Sequence, residues 1–145
     1  LKIIKSKKNL GLKTLIDICN IDSNPSIYHL GYMLGPRINA GGRVGKCSHG
    51  ANLLLNKDQK NSFKLASELD QYNKERQLLE KNLLQKILNL TEDMFKDPVL
   101  ILTGKDWHEG VIGIVAARLK VIHYFHVFFC EFFWIPLCRW VFQSH

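Results

Sequence analysis

The sequence predicts an α/β chain with a helical N-terminal part, one long amphipathic helix, and the first strand and helix of a second α/β region. Three observations carry that expectation. Apolar residues recur at three- and four-residue steps across residues 59–95. Residues 99–103, Val-Leu-Ile-Leu-Thr, form an apolar run of strand length. Residues 104–109 then turn into a helix over 110–120.

Taken in order, residues 11–20 read as a short helix with Leu12, Leu15, Ile16 and Cys19 on one face. Asn24 and Pro25 supply a cap and a first-turn proline for a second helix running through Leu34. Ser48 can cap a third helix ending near Leu55, and Asp58 is a natural N-cap for the long element that follows. In that element Phe63, Ala66, Leu69, Tyr72, Leu79, Leu83, Ile87, Leu90 and Met94 form the apolar stripe. A helix of that extent is roughly 55 Å long, which suits a connector between lobes better than a core helix. The stripe shows no clean heptad, and Glu75, Arg76, Glu80 and Lys81 read as a solvated face. Asp97-Pro98 ends the helix.

Between the second and third helices lies the run Leu34-Gly35-Pro36-Arg37-Ile38-Asn39-Ala40-Gly41-Gly42-Arg43-Val44-Gly45-Lys46. It reads as a loop that cradles phosphate: Pro36 stops the preceding helix, and Gly41, Gly42 and Gly45 can take positive φ. Arg37 and Arg43 can fork onto phosphate oxygens, Asn39 adds a neutral donor and acceptor, and Lys46 a point charge. The competing reading ties the arginines to a neighbouring carboxylate and gives Asn39 to the turn. At the second α/β region, Trp107, His108 and Gly110 stand where free helix N–H groups suit an anion. There Trp107 stacks a base or packs, His108 donates to phosphate or caps the helix, and Gly110 and Gly113 admit either a ligand or close helix packing. Arg118 faces either a nucleic-acid groove or solvent, and His29 and His49 read as structural residues without partners.

The balance of charge points the same way. Lys and Arg exceed Asp and Glu by seven, with eight cations against two anions in residues 1–50 and eleven against ten in residues 51–120. A basic surface beside the glycine run suits a polyanion, whose condensed counterions are released on binding. Cys19, Cys47, Cys130 and Cys138 form no C-x-x-C pair, which with no signal peptide fits a reducing cytoplasm and no structural disulfide. The irregular spacing of His123, His126, Cys130 and Cys138 argues against zinc.

The glycine run and the stretch Trp107-His108-Glu109-Gly110-Val111-Ile112-Gly113-Ile114-Val115-Ala116-Ala117-Arg118-Leu119 together resemble the RecJ family, single-strand-specific 5′→3′ DNA exonucleases of the DHH phosphoesterase superfamily. The residues 11–17, Gly-Leu-Lys-Thr-Leu-Ile-Asp, and 28–31, Tyr-His-Leu-Gly, fit it too. The resemblance covers residues 1–120, the middle of a family member, and the chain reads as an internal fragment. It implies that residues 1–57 end the DHH catalytic lobe, 58–96 connect, and 97–120 begin the DHH-associated α/β lobe. It also implies metal-dependent hydrolysis of single-stranded DNA in recombination and repair. The strand-contacting set is then Arg37, Asn39, Gly41, Gly42, Arg43, Lys46, Trp107, His108 and Gly110. The family holds two Mn2+ or Mg2+ ions with aspartates and histidines, including an Asp-His-His tripeptide that this chain lacks. No residue of this chain is expected to bind the metals, none is assigned as catalytic, and the chain alone is expected to be inactive.

The resemblance stops near Lys120. Residues 121–145 hold nine of the fifteen aromatics and no glycine, lysine or aspartate. They read as frame-shifted or unrelated sequence forming a sticky, poorly folded tail. Glu131 and two histidines interrupt its apolar run, against a membrane span. Two other functions stay open at this point: a non-catalytic single-strand-binding module, and a phosphoesterase acting on short oligonucleotides. No small-molecule cofactor is implied.

Overall fold

A computed structural model describes residues 8–21, 25–89, 99–105, 107–123 and 126–131. The chain divides into two compact units, with the boundary between Arg76 and Gln77.

The first unit opens with α1 (Leu10–Ile18). Its N-cap is Asn9, whose Oδ1 accepts from the Leu12 N–H at 2.9 Å while its Nδ2 donates to the Leu54 carbonyl at 2.8 Å. One amide therefore satisfies an orphan helix donor and ties α1 to a distant element. Asn20 takes the left-handed conformation after the helix, φ 52°, which asparagine tolerates better than most side chains. Asn24 lies outside the described residues. Residues 27 and 28 are helical and lead into a π-helix, His29–Leu34, which runs directly into α2 (Gly35–Val44).

This continuity overturns the reading of residues 34–46 as a loop halted by Pro36. The Gly35 amide bonds the Leu30 carbonyl, five residues back. That widened turn accommodates the missing donor of Pro36 and the bulk of its ring, so the proline begins α2. No described glycine has positive φ. What the glycines provide is proximity. A Cβ on Gly41 would lie 2.8 Å from the Lys46 carbonyl oxygen, and one on Gly45 about 2.5 Å from the Tyr72 ring. Gly50 meets Ile38 in the same way at 2.9 Å.

α3 (Ser48–Leu55) follows, with Cys47 rather than Ser48 at the cap position, and then α4 (Gln59–Leu88). Asp58 caps α4 as expected, its Oδ2 accepting from the Asn61 N–H at 2.7 Å. The core of this unit joins Leu15, Ile16 and Cys19 of α1 and its C-cap to Leu34, Leu53, Leu65, Ala66 and Leu69. Tyr72 packs against its edge.

α4 is 30 residues, about 45 Å, within the described residues; the expected continuation over 90–95 and the stop at Asp97-Pro98 lie outside them. Its early part supplies core side chains to the first unit, so it is more than a connector. Its buried positions also differ from the expected apolar stripe: Ser62, Ala66, Leu69, Asn73, Glu80, Leu83 and Ile87 are buried, while Phe63 is 60% exposed. Leu65 is buried as well, and polar residues stand at three of these eight positions, which a reading of apolar residues alone does not find.

In the second unit, β1 (Val99–Gly104) and β2 (His126–Glu131) pair in parallel, from Val99 opposite His126 to Gly104 opposite Glu131, with α5 (Glu109–His123) between them in the chain. Parallel pairing requires such a crossover. Leu100 and Leu102 are buried, as are Val111, Val115, Ala116 and Leu119 of α5. Val99 and Ile101 are exposed, so β1 is covered on one face rather than both. β2 corrects the expectation of a poorly folded tail at residues 126–131; residues 132–145 lie outside the described set. Among the described residues no helix is long and apolar enough to cross a membrane.

Two glycines separate the roles of proximity and propensity. Gly45→Ala should lose about 1–3 kcal/mol by urea denaturation, because the new methyl overlaps the Tyr72 ring. Gly31→Ala meets nothing within 4 Å and should be neutral or stabilising by up to about 1 kcal/mol.

Candidate nucleic-acid interface

The sequence-assigned residues fall into two groups, one in each unit. In the first, Arg37 is anchored rather than free. Its Nε donates to Asp70 Oδ1 at 2.8 Å, and its Nη1 donates to the Met33 carbonyl at 2.8 Å. Lys74, one turn beyond Asp70 on α4, donates to the other carboxylate oxygen at 2.7 Å. Burial pushes the Asp70 carboxyl up, but hydrogen bonds from Lys74 and Arg37, with their charges, outweigh it and hold the group below its ordinary value. The competing sequence reading, an arginine tied to a neighbouring carboxylate, describes this geometry.

Asn39, Gly42 and Arg43 are exposed, and their spacing of i, i+3 and i+4 places them along one side of the second half of α2, while Lys46 is exposed in the turn after it. Gly41 is buried against Leu69 and the Lys46 carbonyl. His29 does have a polar partner, its Nδ1 accepting from the Ser26 N–H at 3.0 Å, whereas His49 stacks its ring on Tyr72 and brings Nδ1 to 3.3 Å from Glu68 Oε2 without hydrogen-bond geometry. Cys19 and Cys47 are free thiols. Burial raises the Cys19 thiol above its ordinary value, against the opposing pull of Arg37, which makes it a poor nucleophile.

In the second unit His108 acts as a cap. Its Nδ1 accepts from the Gly110 N–H at 3.1 Å at the start of α5, which in the neutral ring leaves the proton on Nε2. Trp107 packs its indole against Gly104, where a Cβ would collide with the ring. The close-packing alternative for Gly113 fails, since a Cβ there meets nothing within 4 Å among the described residues. Trp107 and His108 line a half-open pocket of about 140 Å³ with Leu83 and Val111 as its floor and Asn82 and Lys86 at its rim. The sequence reading missed Asn82 and Lys86, although their i, i+4 spacing with Leu79 and Leu83 marks one side of α4. One further expectation changes. Glu80 is buried, 2% exposed, rather than on a solvated face, and Arg118, itself exposed to solvent, reaches back to pair with it.

No family model matches the chain. Individual proteins do. RecJ of Bacillus subtilis, a single-stranded-DNA-specific exonuclease, is 34% identical over 121 residues, which is 82% of this chain and 15% of the relative. RecJ of Salmonella typhimurium, described in the same words, is 36% identical over 125 residues, 82% of this chain and 22% of the relative. The crystal structure of Thermus thermophilus RecJ in complex with Mn2+ superposes with a TM-score of 0.78 at 29% identity, over 88% of this chain and 19% of that one. This chain is a RecJ-like segment. It spans between about a seventh and just over a fifth of the length of these relatives, and its mostly helical fold matches that of the RecJ structure.

RecJ structures are solved with Mn2+ or Mg2+, so the fit of such an ion to this RecJ-like segment can be judged from its donors. It is poor. Among the described residues no three His, Cys, Asp or Glu side chains come together as a metal site. Asp70 already spends both oxygens on Arg37 and Lys74, and Glu80 is committed to Arg118. A pair of ions about 3.5–4 Å apart needs several converging carboxylates or imidazoles, so no hydrolytic step is derived from these residues.

The depressed Asp70 carboxyl gives a signed pH dependence. Its contribution is present above the unfolded-state value and is lost as pH falls through the lower folded-state value. Asp70→Asn should therefore cost about 1.5–3 kcal/mol near neutrality, and the gap to the parent chain should close below about pH 4 in urea titrations.

Proposed function

We propose that the chain is a strand-holding portion of a RecJ-type single-stranded-DNA exonuclease. In this reading residues 1–57 end the DHH catalytic lobe, α4 links it to the DHH-associated lobe, and residues 97–120 begin the latter. The metal ions and the water they activate belong to a part of such an enzyme outside these residues. The observation that carries the reading is the exposed side of α2 with Asn39, Gly42 and Arg43, followed in the next turn by exposed Lys46, all on the more basic unit. Arg37, tethered to Asp70, orients that helix and keeps its Nη2 amino group available for a phosphate oxygen. A helix face with two cations and a neutral amide grips a backbone without reading bases, as an exonuclease that moves along any strand requires. The similarity to proteins named as single-stranded-DNA-specific exonucleases supports this over a phosphoesterase of short oligonucleotides. On this reading the setting is recombination and repair in the cytoplasm.

Fluorescence anisotropy with a labelled oligo-dT strand tests the reading. The chain should bind with a salt-dependent affinity, and the Arg43→Ala, Lys46→Ala double variant should weaken binding about tenfold and lower the log–log salt slope by about 1.4. Binding that is indifferent to salt and to both substitutions would remove α2 from the interface.

Gly42→Ala is a sharper probe of contact. A Cβ there has only ordinary contact, 4.0 Å from Cys47 Cβ, so the helix should gain up to about 1 kcal/mol in stability. Should the strand approach the α2 backbone closely at this point, the same substitution weakens oligo-dT binding even as the melting temperature rises.

A further inference from the structure

We propose that the pocket lined by Trp107, His108, Asn82 and Lys86 seats one nucleotide of a strand, the base inside and its phosphate at the rim. The inference rests on the strand-holding reading and gives it a base-binding subsite in the second unit. Its volume, about 140 Å³, is close to that of cavities that admit a single aromatic ring and too small for a whole nucleotide. The lining divides accordingly. Leu83 and Val111 are buried and make an apolar floor, and Trp107, half-buried, adds an indole. Asn82, Lys86 and His108 are exposed at the edge.

Each edge group has a distinct chemistry. The Asn82 amide carries both a donor and an acceptor for the edge of a base. Lys86 supplies the positive charge for the phosphate outside. His108 is committed through Nδ1 to the Gly110 amide, so its neutral ring offers an Nε2–H donor. Ring stacking with an aromatic is tolerant of sequence, because every base has a π face, and that suits an enzyme acting on any strand.

Calorimetric titration of the full chain with dTMP, thymidine and 2-deoxyribose 5-phosphate separates base from phosphate. dTMP should bind about tenfold more tightly than either part. Lys86→Ala should abolish the advantage of dTMP over thymidine, and Asn82→Ala should abolish its advantage over 2-deoxyribose 5-phosphate. Both side chains are exposed, so neither variant threatens the fold, and far-UV circular dichroism verifies this. Equal binding of dTMP and 2-deoxyribose 5-phosphate, no binding of dTMP, or dTMP binding unchanged in both variants overturns the pocket. Those results alongside salt-dependent oligo-dT binding leave the strand-holding reading standing. Selective dTMP binding without oligo-dT binding supports the pocket and defeats the strand-holding reading instead.

Discussion

The first unit depends on the attachment of α2 to α4 through Arg37 and Asp70. α2 carries Gly35, Gly41, Gly42 and Pro36 within ten residues, a composition that makes it a poor helix by itself. Each interior glycine costs roughly 1 kcal/mol relative to alanine, so the helix must draw its stability from tertiary contacts. The two-oxygen use of Asp70, with Arg37 on one side and Lys74 on the other, provides one such contact. The close approach of Gly41 to Leu69, of Gly45 to Tyr72 and of Gly50 to Ile38 provides others. The glycines weaken the helix and at the same time permit the packing that restores it.

That arrangement also explains the character of the exposed side of α2. A guanidinium held at Nε and Nη1 has lost most of its rotational freedom before any ligand arrives. The neighbouring Asn39 and Arg43 project from a helix fixed in position by the same contacts, and Lys46 from the turn that follows it. In the proposed reading such a surface holds a backbone by geometry and charge, and leaves bond cleavage to groups elsewhere.

Much of the fold was legible in the sequence, and the failures share a cause. Asp58 as a cap, the helix carrying Leu15 and Ile16, and the strand beginning at Val99 all follow from local signals. The glycine run was misread because glycine and proline signal a turn in isolation, and the π-helical turn that absorbs Pro36 has no simple sequence mark. On the buried side of α4, Ala66, Leu69, Leu83 and Ile87 were legible, but Ser62, Asn73 and Glu80 were missed because they are polar; Glu80 is tolerated there by pairing with Arg118, a residue of α5 that no local pattern links to it. The proposed site followed the same division. Arg43, Lys46, Trp107 and His108 were visible as motif residues, whereas Asn82 and Lys86 acquire meaning only once α4 lies beside the turn before α5.

The central claim is that this chain holds a strand without cleaving it. The direct measurement is one gel-shift series with 5′-labelled oligo-dT in buffer containing Mn2+ and, in parallel, EDTA. The account predicts the same retarded band in both, with every strand at its original length. Shortened strands in Mn2+ alone would contradict it, because they would require a metal site among residues that offer none in the described part of the chain. No retarded band in either buffer would contradict it from the other side.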